Sequence, residues 1–260
     1  MITNISAKLL AKIPLNPGGF SLKSPLSDAK MLNGQVISRE MSLKESLRRN
    51  RNVSPWAVEN ILDLRQKAAL IYLEHNKYQD VAFELSGAGR CLADYADYLY
   101  RDQSSEERSS PVWQQNLRVL YERAVEYHVN AIYYFRQGNG DRSKLALELS
   151  YFARLLKELG KRYGQNWSSA GQNRQIIAYH QEAALIFDSL GKYDDLCYEY
   201  FRIAEFMLKM AKADRRYYQE AEGYAQKALA LVDQCRMPAK RRPDVIAILT
   251  EASEGMAKAI

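Results

Sequence analysis

The sequence predicts an all-α fold made of stacked helical hairpins, and three observations lead to this prediction. Apolar residues recur at steps of three and four, helix-start and helix-stop residues punctuate the chain, and one stretch of helix and turn is repeated. No stretch shows the sustained alternation of apolar and polar residues that is typical of a half-buried strand. The 260 residues have ordinary globular composition, so the chain is long enough to bury a sizeable core.

The helix boundaries follow from capping residues. Ser54 and Pro55 combine an N-cap with a proline at the first helical position, and Ser110-Pro111 repeats this signal. Glycines stand where helices should end, namely Gly138, Gly140, Gly160, Gly164 and Gly191. The sequence therefore predicts eight helices, over residues 54–76, 78–102, 111–137, 141–163, 172–190, 194–213, 217–235 and 243–258. The polar stretch from Asp102 to Ser110 is expected to be a loop.

The net charge of +6 is concentrated at the N-terminus. Residues 1–53 hold nine lysines and arginines against Asp28, Glu40 and Glu45, so the remainder of the chain is balanced. We expect residues 1–53 to be a basic, flexible segment. Lys8 and Lys12 interrupt its apolar stretch, which does not fit a secretory signal. An organelle transit peptide, a bacterial export signal and an ordinary tail all remain open.

The balanced body argues against nucleic-acid binding, which needs clustered cations. The local cluster of Arg236, Lys240, Arg241 and Arg242 is interpreted as a solvated helix end. The cysteines, Cys91, Cys197 and Cys235, are odd in number and far apart, as in proteins of a reducing compartment where thiols are buried apolar groups. The sequence predicts no cofactor, no metal site, no membrane span and a cytoplasmic location, with export into a host cell or organelle targeting as alternatives.

An internal repeat defines the architecture. Residues Ala69 to Ala82 read ALIYLEHNKYQDVA, and Ala184 to Cys197 read ALIFDSLGKYDDLC, with six of fourteen positions identical. Looser copies begin at Ala131 and Ala228. Each copy covers the end of one helix and the turn into the next, so the repeat unit is a helix pair that must stack to bury its apolar stripe. We expect Ala69 and Ala184 to be buried where helices cross.

The turn Leu190-Gly191-Lys192-Tyr193-Asp194 and the helix from Glu220 to Leu229, with small residues at Ala221 and Ala228, resemble the tetratricopeptide repeat family. The resemblance covers about residues 54–235. It implies a right-handed stack of about four helical hairpins, with a concave surface that binds peptides or partner helices. The copies begin 62, 53 and 44 residues apart, longer than the family's period of about 34 residues. We therefore describe residues 54–260 as one tetratricopeptide-like domain.

The residues capable of acid–base chemistry fit structural roles. His128 and His180 fall on apolar helix faces and are predicted to be packed, whereas His75 lies in a turn and should be exposed. The stretch from Gly138 to Lys144 contains glycines and a lysine but lacks the spacing of a phosphate-binding loop. It is interpreted as a helix stop followed by an N-cap at Asn139 or Asp141.

Tyrosine is the most suggestive residue type, with 18 in the chain. A tyrosine offers a large contact area with a polar tip, which suits both helix packing and a binding groove. Both interpretations stay open. The tyrosines on predicted helices include Tyr95, Tyr98, Tyr100, Tyr121, Tyr127, Tyr133, Tyr134, Tyr151, Tyr179, Tyr198, Tyr200, Tyr217, Tyr218 and Tyr224.

These features favour a non-enzymatic scaffold that binds another protein, as a peptide or helix, on a concave helical surface. No catalytic residue is predicted, and the sequence does not identify the partner-binding residues or the oligomeric state. One alternative is a bacterial secreted effector, or a secretion-associated factor or chaperone, with an N-terminal export signal. A further alternative is an all-α enzyme of unrecognised type, since a fold does not exclude a function.

Overall fold

A computed structural model describes residues 26–49, 53–163, 170–232 and 241–257. These residues contain ten helices and no strand, so the predicted all-α class is confirmed for the described chain. The helices are α1 (Leu26–Arg48), α2 (Pro55–Glu74), α3 (Tyr78–Asp102), α4 (Ser105–Ser109), α5 (Pro111–Gln137), α6 (Arg142–Tyr163), α7 (Ala170–Ser189), α8 (Tyr193–Ala211), α9 (Tyr217–Val232) and α10 (Arg241–Ala257).

The chain divides into two compact units, where the sequence predicted one domain over residues 54–260. Unit 1 ends at Asp141 and contains α1 to α5, and unit 2 begins at Arg142 and contains α6 to α10. In unit 1, α2 packs against α1 and α3, and α3 packs against α5. In unit 2, each helix packs against the next one along the chain. Both units are therefore built from helical hairpins, and the predicted right-handed stacking along the whole chain stays a prediction.

All eight predicted helices are present within a few residues of their predicted ends. Ser54 caps α2 by accepting a hydrogen bond from the Trp56 backbone nitrogen at 3.3 Å, with Pro55 at the first helical position. Gly138 ends α5 as predicted. The prediction that Gly160 ends a helix was wrong, because α6 continues to Tyr163. Gly164 and Cys235 lie outside the described residues.

Part of the N-terminal segment that the sequence predicted to be flexible forms a packed helix. Residues 1–25 lie outside the described part of the chain, but residues 26–48 form α1, which packs against α2. Its buried face consists of Ala29, Leu32, Val36 and Leu43. The prediction of a flexible segment is therefore wrong for residues 26–48, which form the first helix of the described residues.

The predicted loop between Asp102 and Ser110 also contains a helix, α4. It is stabilised by a capping box, in which the Glu107 backbone nitrogen donates to Ser104 Oγ at 3.2 Å and the Ser104 nitrogen donates to Glu107 Oε2 at 3.1 Å. The polar composition that suggested a loop is the composition of a short, solvated helix. This one has no buried residue.

The two best copies of the repeat share one turn conformation. Asn76 and Gly191 occupy equivalent positions, 115 residues apart, and have φ values of 55° and 64°. The next residue in each copy bonds back to the same point of the preceding helix: Lys77 N to Tyr72 O and Lys192 N to Phe187 O, both at 2.9 Å. Ala69 and Ala184 are both buried, as predicted. Ala221 and Ala228 are fully buried too, which lets α9 approach its neighbours closely.

Across the described residues, no helix combines the length and the apolar character that crossing a membrane requires.

Candidate binding site

The histidines lie where the sequence predicted. His128 and His180 are buried, and His75 is exposed in the turn after α2. His180 Nδ1 lies 2.7 Å from Glu199 Oε2 across the α7–α8 hairpin, and both side chains are almost completely buried. Ser150 Oγ of α6 donates to the other oxygen of Glu199 at 2.6 Å. Because both His180 and Glu199 are enclosed, this pair holds α6, α7 and α8 together.

A buried ion pair occupies the equivalent place in unit 1. Arg65 Nη1 donates to Glu84 Oε2 at 2.6 Å, and Arg65 Nε donates to Glu40 Oε1 at 2.8 Å. Burial raises the pKa of Glu84 to about 6, although the charge of Arg65 opposes this shift. Sequence reasoning missed the pair. The repeat offset of 115 residues aligns Arg65 with His180 and Glu84 with Glu199, so it relates the two pairs once one of them is known.

A cavity of about 200 Å³ borders Arg65 between α1, α2 and α3. Its lining includes Glu40, Gly87, Cys91 and Asp94. A Cβ atom on Gly87 would lie 2.2 Å from Arg65 Cζ, so only glycine leaves room for the guanidinium. Burial, followed by the charge of Glu40, raises the pKa of Cys91 to about 12. The thiol is therefore protonated at neutral pH and is a packing group and not a nucleophile.

A larger open groove runs between α1 and α2 of unit 1. We call it the α1–α2 groove. Its volume is about 520 Å³, and its walls are formed by Ser38, Arg39, Ser42, Leu43, Ser46, Val53, Ser54, Trp56, Ala57, Asn60 and Ile61. Trp56 is 73% exposed at its edge, an unusual position for so large an apolar side chain. Asn60 Oδ1 is buried and accepts no hydrogen bond from the described residues.

The tyrosines serve mainly in packing. Tyr95, Tyr98, Tyr121, Tyr127 and Tyr134 are buried. Rings also pair within each unit, as Tyr78 with Tyr134 and Tyr200 with Tyr224. The α1–α2 groove has no tyrosine in its lining. The interpretation of the tyrosines as helix-packing residues thus describes most of them better than the groove interpretation does.

Nothing in the described residues assembles three or more histidine, cysteine, aspartate or glutamate side chains in a way that could hold a metal ion.

Comparison with known proteins identifies no family. No family model matches the chain, and no curated protein shows a significant match. Among solved structures, the chain is similar to BtubC (BKLC) from P. vanneervenii, with 16% identity over 87% of this chain and 84% of that chain and a TM-score of 0.43. It is also similar to the de novo designed helical repeat protein DHR64, with 16% identity over 90% and 97% of the two chains and a TM-score of 0.33.

A third similar structure is the DHF119 filament, with 18% identity, coverage of 82% and 100%, and a TM-score of 0.38. TM-scores below 0.5 do not establish a common fold. The description of this chain as a helical repeat protein therefore rests on its own two copies, which share sequence, turn conformation and hydrogen bonding. The specific resemblance to the tetratricopeptide repeat family stays a prediction.

Proposed function

We propose that this protein is a non-enzymatic scaffold that binds another protein in the α1–α2 groove. The observation that carries the proposal is Trp56, which stands 73% exposed at the edge of an open groove of about 520 Å³. Tryptophan is enriched among residues that dominate binding energy, because its large rigid surface loses little conformational entropy on contact.

The walls of the α1–α2 groove suit a peptide or helix. On α1, Ser38, Ser42 and Ser46 follow one another at steps of four residues, and their small side chains let a partner backbone approach closely. On α2, the apolar side chains of Ala57 and Ile61 continue the surface that begins at Trp56. The groove thus combines an aromatic anchor with a floor that is partly apolar and partly polar.

The buried oxygen of Asn60 adds a specific polar requirement. An amide oxygen without a donor costs free energy, of the order of 1–3 kcal/mol when fully buried. A partner that donates a hydrogen bond to Asn60 Oδ1 recovers this cost. We therefore expect the bound segment to present an N–H or O–H group there, with an apolar side chain against Trp56.

The non-enzymatic part of the proposal is supported by how the titratable groups are used. His180 is enclosed with Glu199, and Arg65 is enclosed between Glu40 and Glu84. A general base must reach the proton that it removes, within hydrogen-bonding distance or through one water. The enclosed pair of His180 and Glu199 does not offer a substrate that approach.

The test compares Trp56→Ala with Leu185→Ala in the full chain. Leu185 is a matched control because it is an apolar side chain of unit 2 that is 71% exposed and does not line the groove. Proteins captured from cells by the immobilised wild-type chain are first sorted by whether Trp56→Ala loses them. A protein selected in this way is then purified and titrated calorimetrically. We expect Trp56→Ala to weaken its binding at least tenfold and Leu185→Ala to change it less than threefold.

The proposal fails if every captured protein is retained equally by the two variants. It also fails if binding of the purified partner is as strong with Trp56→Ala as with the wild-type chain. Circular dichroism of both variants controls for folding, and neither should lose helix because both side chains are exposed.

A further inference from the structure

One carboxylate in unit 2 is shared by three cations. Glu205 on α8 accepts hydrogen bonds from Lys157 of α6 at 2.9 Å, from Arg202 at 3.0 Å and from Lys209 at 3.1 Å. We call these three basic residues the cation cluster. With a single carboxylate among three cations, the group has a surplus of two positive charges.

This surplus is partly withdrawn from water. The side chains of Lys157 and Arg202 are only 9% and 20% exposed. Burial raises the pKa of Glu205, but hydrogen bonds from Lys157 and Lys209 outweigh it and lower the value to about 2. Glu205 is therefore fully ionised at neutral pH. Its single negative charge is already counted in the surplus of two positive charges. Lys209 remains 52% exposed, which leaves the cation cluster open to solvent on that side.

More positive charge lies at the same end of unit 2. Helices α6 and α8 run parallel, since Ser150 contacts Glu199 and Lys157 contacts Glu205 further along both helices. Both helices therefore finish at this end, and the turn that follows α8 adds Lys212, Arg215 and Arg216. Asp214 pairs with Arg216 at 2.7 Å, and Glu251 lies 3.6 Å from Lys212. These carboxylates do not remove the surplus of the cation cluster.

Helix dipoles account for part of this arrangement. Each helix C-terminus carries about half a negative charge, which favours cations in its last turn. The equivalent positions in unit 1 show that the repeated hairpin does not require a surplus of positive charge. There, α3 carries Arg90 and Asp94 at the positions equivalent to Glu205 and Lys209, so the two charges are reversed.

We infer that this end of unit 2 binds an acidic segment of a protein partner. The inference rests on the proposed function in that it assumes a protein ligand, but it concerns a different surface and a different chemistry. Carboxylates of the ligand would approach Lys209 and the exposed basic residues of the α8–α9 turn. The contacts of Glu205 already show that the cation cluster binds a carboxylate. A nucleic acid fits less well, because binding of a phosphate backbone depends on many lysine and arginine contacts along the strand and this site is small.

The experiment measures binding of a fluorescein-labelled peptide of ten glutamates to the full chain at low salt, by fluorescence anisotropy. Lys209→Gln should weaken binding about twofold to fivefold, the range expected for one exposed charge pair. Glu205→Gln should strengthen binding by a similar factor, because the surplus rises from two charges to three. The matched control is Lys67→Gln, which removes an exposed lysine in an i,i+4 pair with Asp63 in unit 1. It should leave binding unchanged.

The opposite signs expected for Lys209→Gln and Glu205→Gln distinguish a binding surface from a purely structural cluster. Equal effects of Lys209→Gln and Lys67→Gln would overturn the inference, as would affinity that does not fall with added salt. Tighter binding of a ten-nucleotide oligouridine than of the peptide would overturn it in favour of a nucleic-acid surface. If Glu205→Gln does not fold, the exposed Lys209 still provides the test.

The two proposals fail separately. If the glutamate peptide does not bind but a captured partner still requires Trp56, only the acidic-ligand surface is refuted. Peptide binding that depends on Lys209, without any partner that depends on Trp56, refutes only the α1–α2 groove.

Discussion

The two copies of the repeat hold the same buried carboxylate with different nitrogen-bearing side chains. In unit 1, Glu84 faces the guanidinium of Arg65, and in unit 2, Glu199 faces the imidazole of His180. The two carboxylates are equivalent in the repeat, and so are the positions of Arg65 and His180. The hairpin geometry is therefore shared, while the polar group at its centre has diverged.

The neighbours have changed to fit. Arg65 is long and carries several donors, and it is met by a second carboxylate, Glu40. His180 is shorter, and the second oxygen of Glu199 is satisfied by a serine hydroxyl of α6. Where Gly87 makes room for the guanidinium, the equivalent position in unit 2 is Arg202. This repeat therefore keeps its backbone turn and its buried alanines, Ala69 and Ala184, while its buried polar residues change as a set.

Removing the cation of unit 1 should have the largest effect. Arg65→Met leaves Glu40 and Glu84 without their shared partner, and breaking a buried pair in this way typically costs about 3–5 kcal/mol. We expect that loss in the free energy of unfolding of unit 1, measured by urea denaturation followed by circular dichroism. Lys67→Met is the control, because its exposed pair with Asp63 should contribute less than about 1 kcal/mol.

A loss below about 1 kcal/mol for Arg65→Met would show that the pair does not stabilise the hairpin. The buried polar groups of the two copies would then be equivalent in position without an equivalent role in stability. Adding Glu84→Leu to Arg65→Met should recover part of the loss, since a buried pair can often be replaced by apolar residues.

Filling the space beside Arg65 should have an intermediate effect. A Cβ on residue 87 would overlap the Arg65 guanidinium, which Glu40 and Glu84 hold in place, so Gly87→Ala should cost about 1–3 kcal/mol. Gly223→Ala is the matched control, because Gly223 lies within α9 with no atom near its Cβ position. That variant should gain up to about 1 kcal/mol from helix propensity.

The two substitutions in unit 1 should be coupled. If the cost of Gly87→Ala comes from Arg65, it should shrink when Arg65→Met is already present, as measured in a double-mutant cycle. Equal costs in both backgrounds would place the strain elsewhere in α3. The glycine at position 87 would then be unrelated to the guanidinium of Arg65.

The smallest effect concerns the shared turn. Gly191 has a φ of 64°, where a side chain costs about 1–2 kcal/mol, so Gly191→Ala should destabilise unit 2 by about 1 kcal/mol. Gly191→Asn should cost less, because Asn76 adopts the same conformation in the other copy. Thermal unfolding of both variants measures the difference. If Asn proves as costly as Ala, the two turns are not equivalent despite their common hydrogen bonds.

Local signals in the sequence predicted most of the helices. Ser54-Pro55 and Ser110-Pro111 mark true helix starts, and Gly138 and Gly191 mark true ends. Gly160 was misleading, because it lies within α6, where a glycine lowers helix stability without ending the helix. Helix α1 was missed because only Ala29, Leu32, Val36 and Leu43 form its buried face, among many polar residues and a basic charge.

By itself, the sequence determined the all-α class, the eight main helices, the repeated turn and the burial of Ala69, Ala184, His128 and His180. Each of these depends on residues within a few turns of one helix, and that information is contained in local spacing. The tertiary structure alone decided that Arg65 meets Glu40 and Glu84, that Lys157 joins Arg202 and Lys209 around Glu205, and that α1 and α2 leave a groove beside Trp56. Such contacts join residues from different helices, so they exist only once packing has fixed which faces meet and how far apart the helices lie.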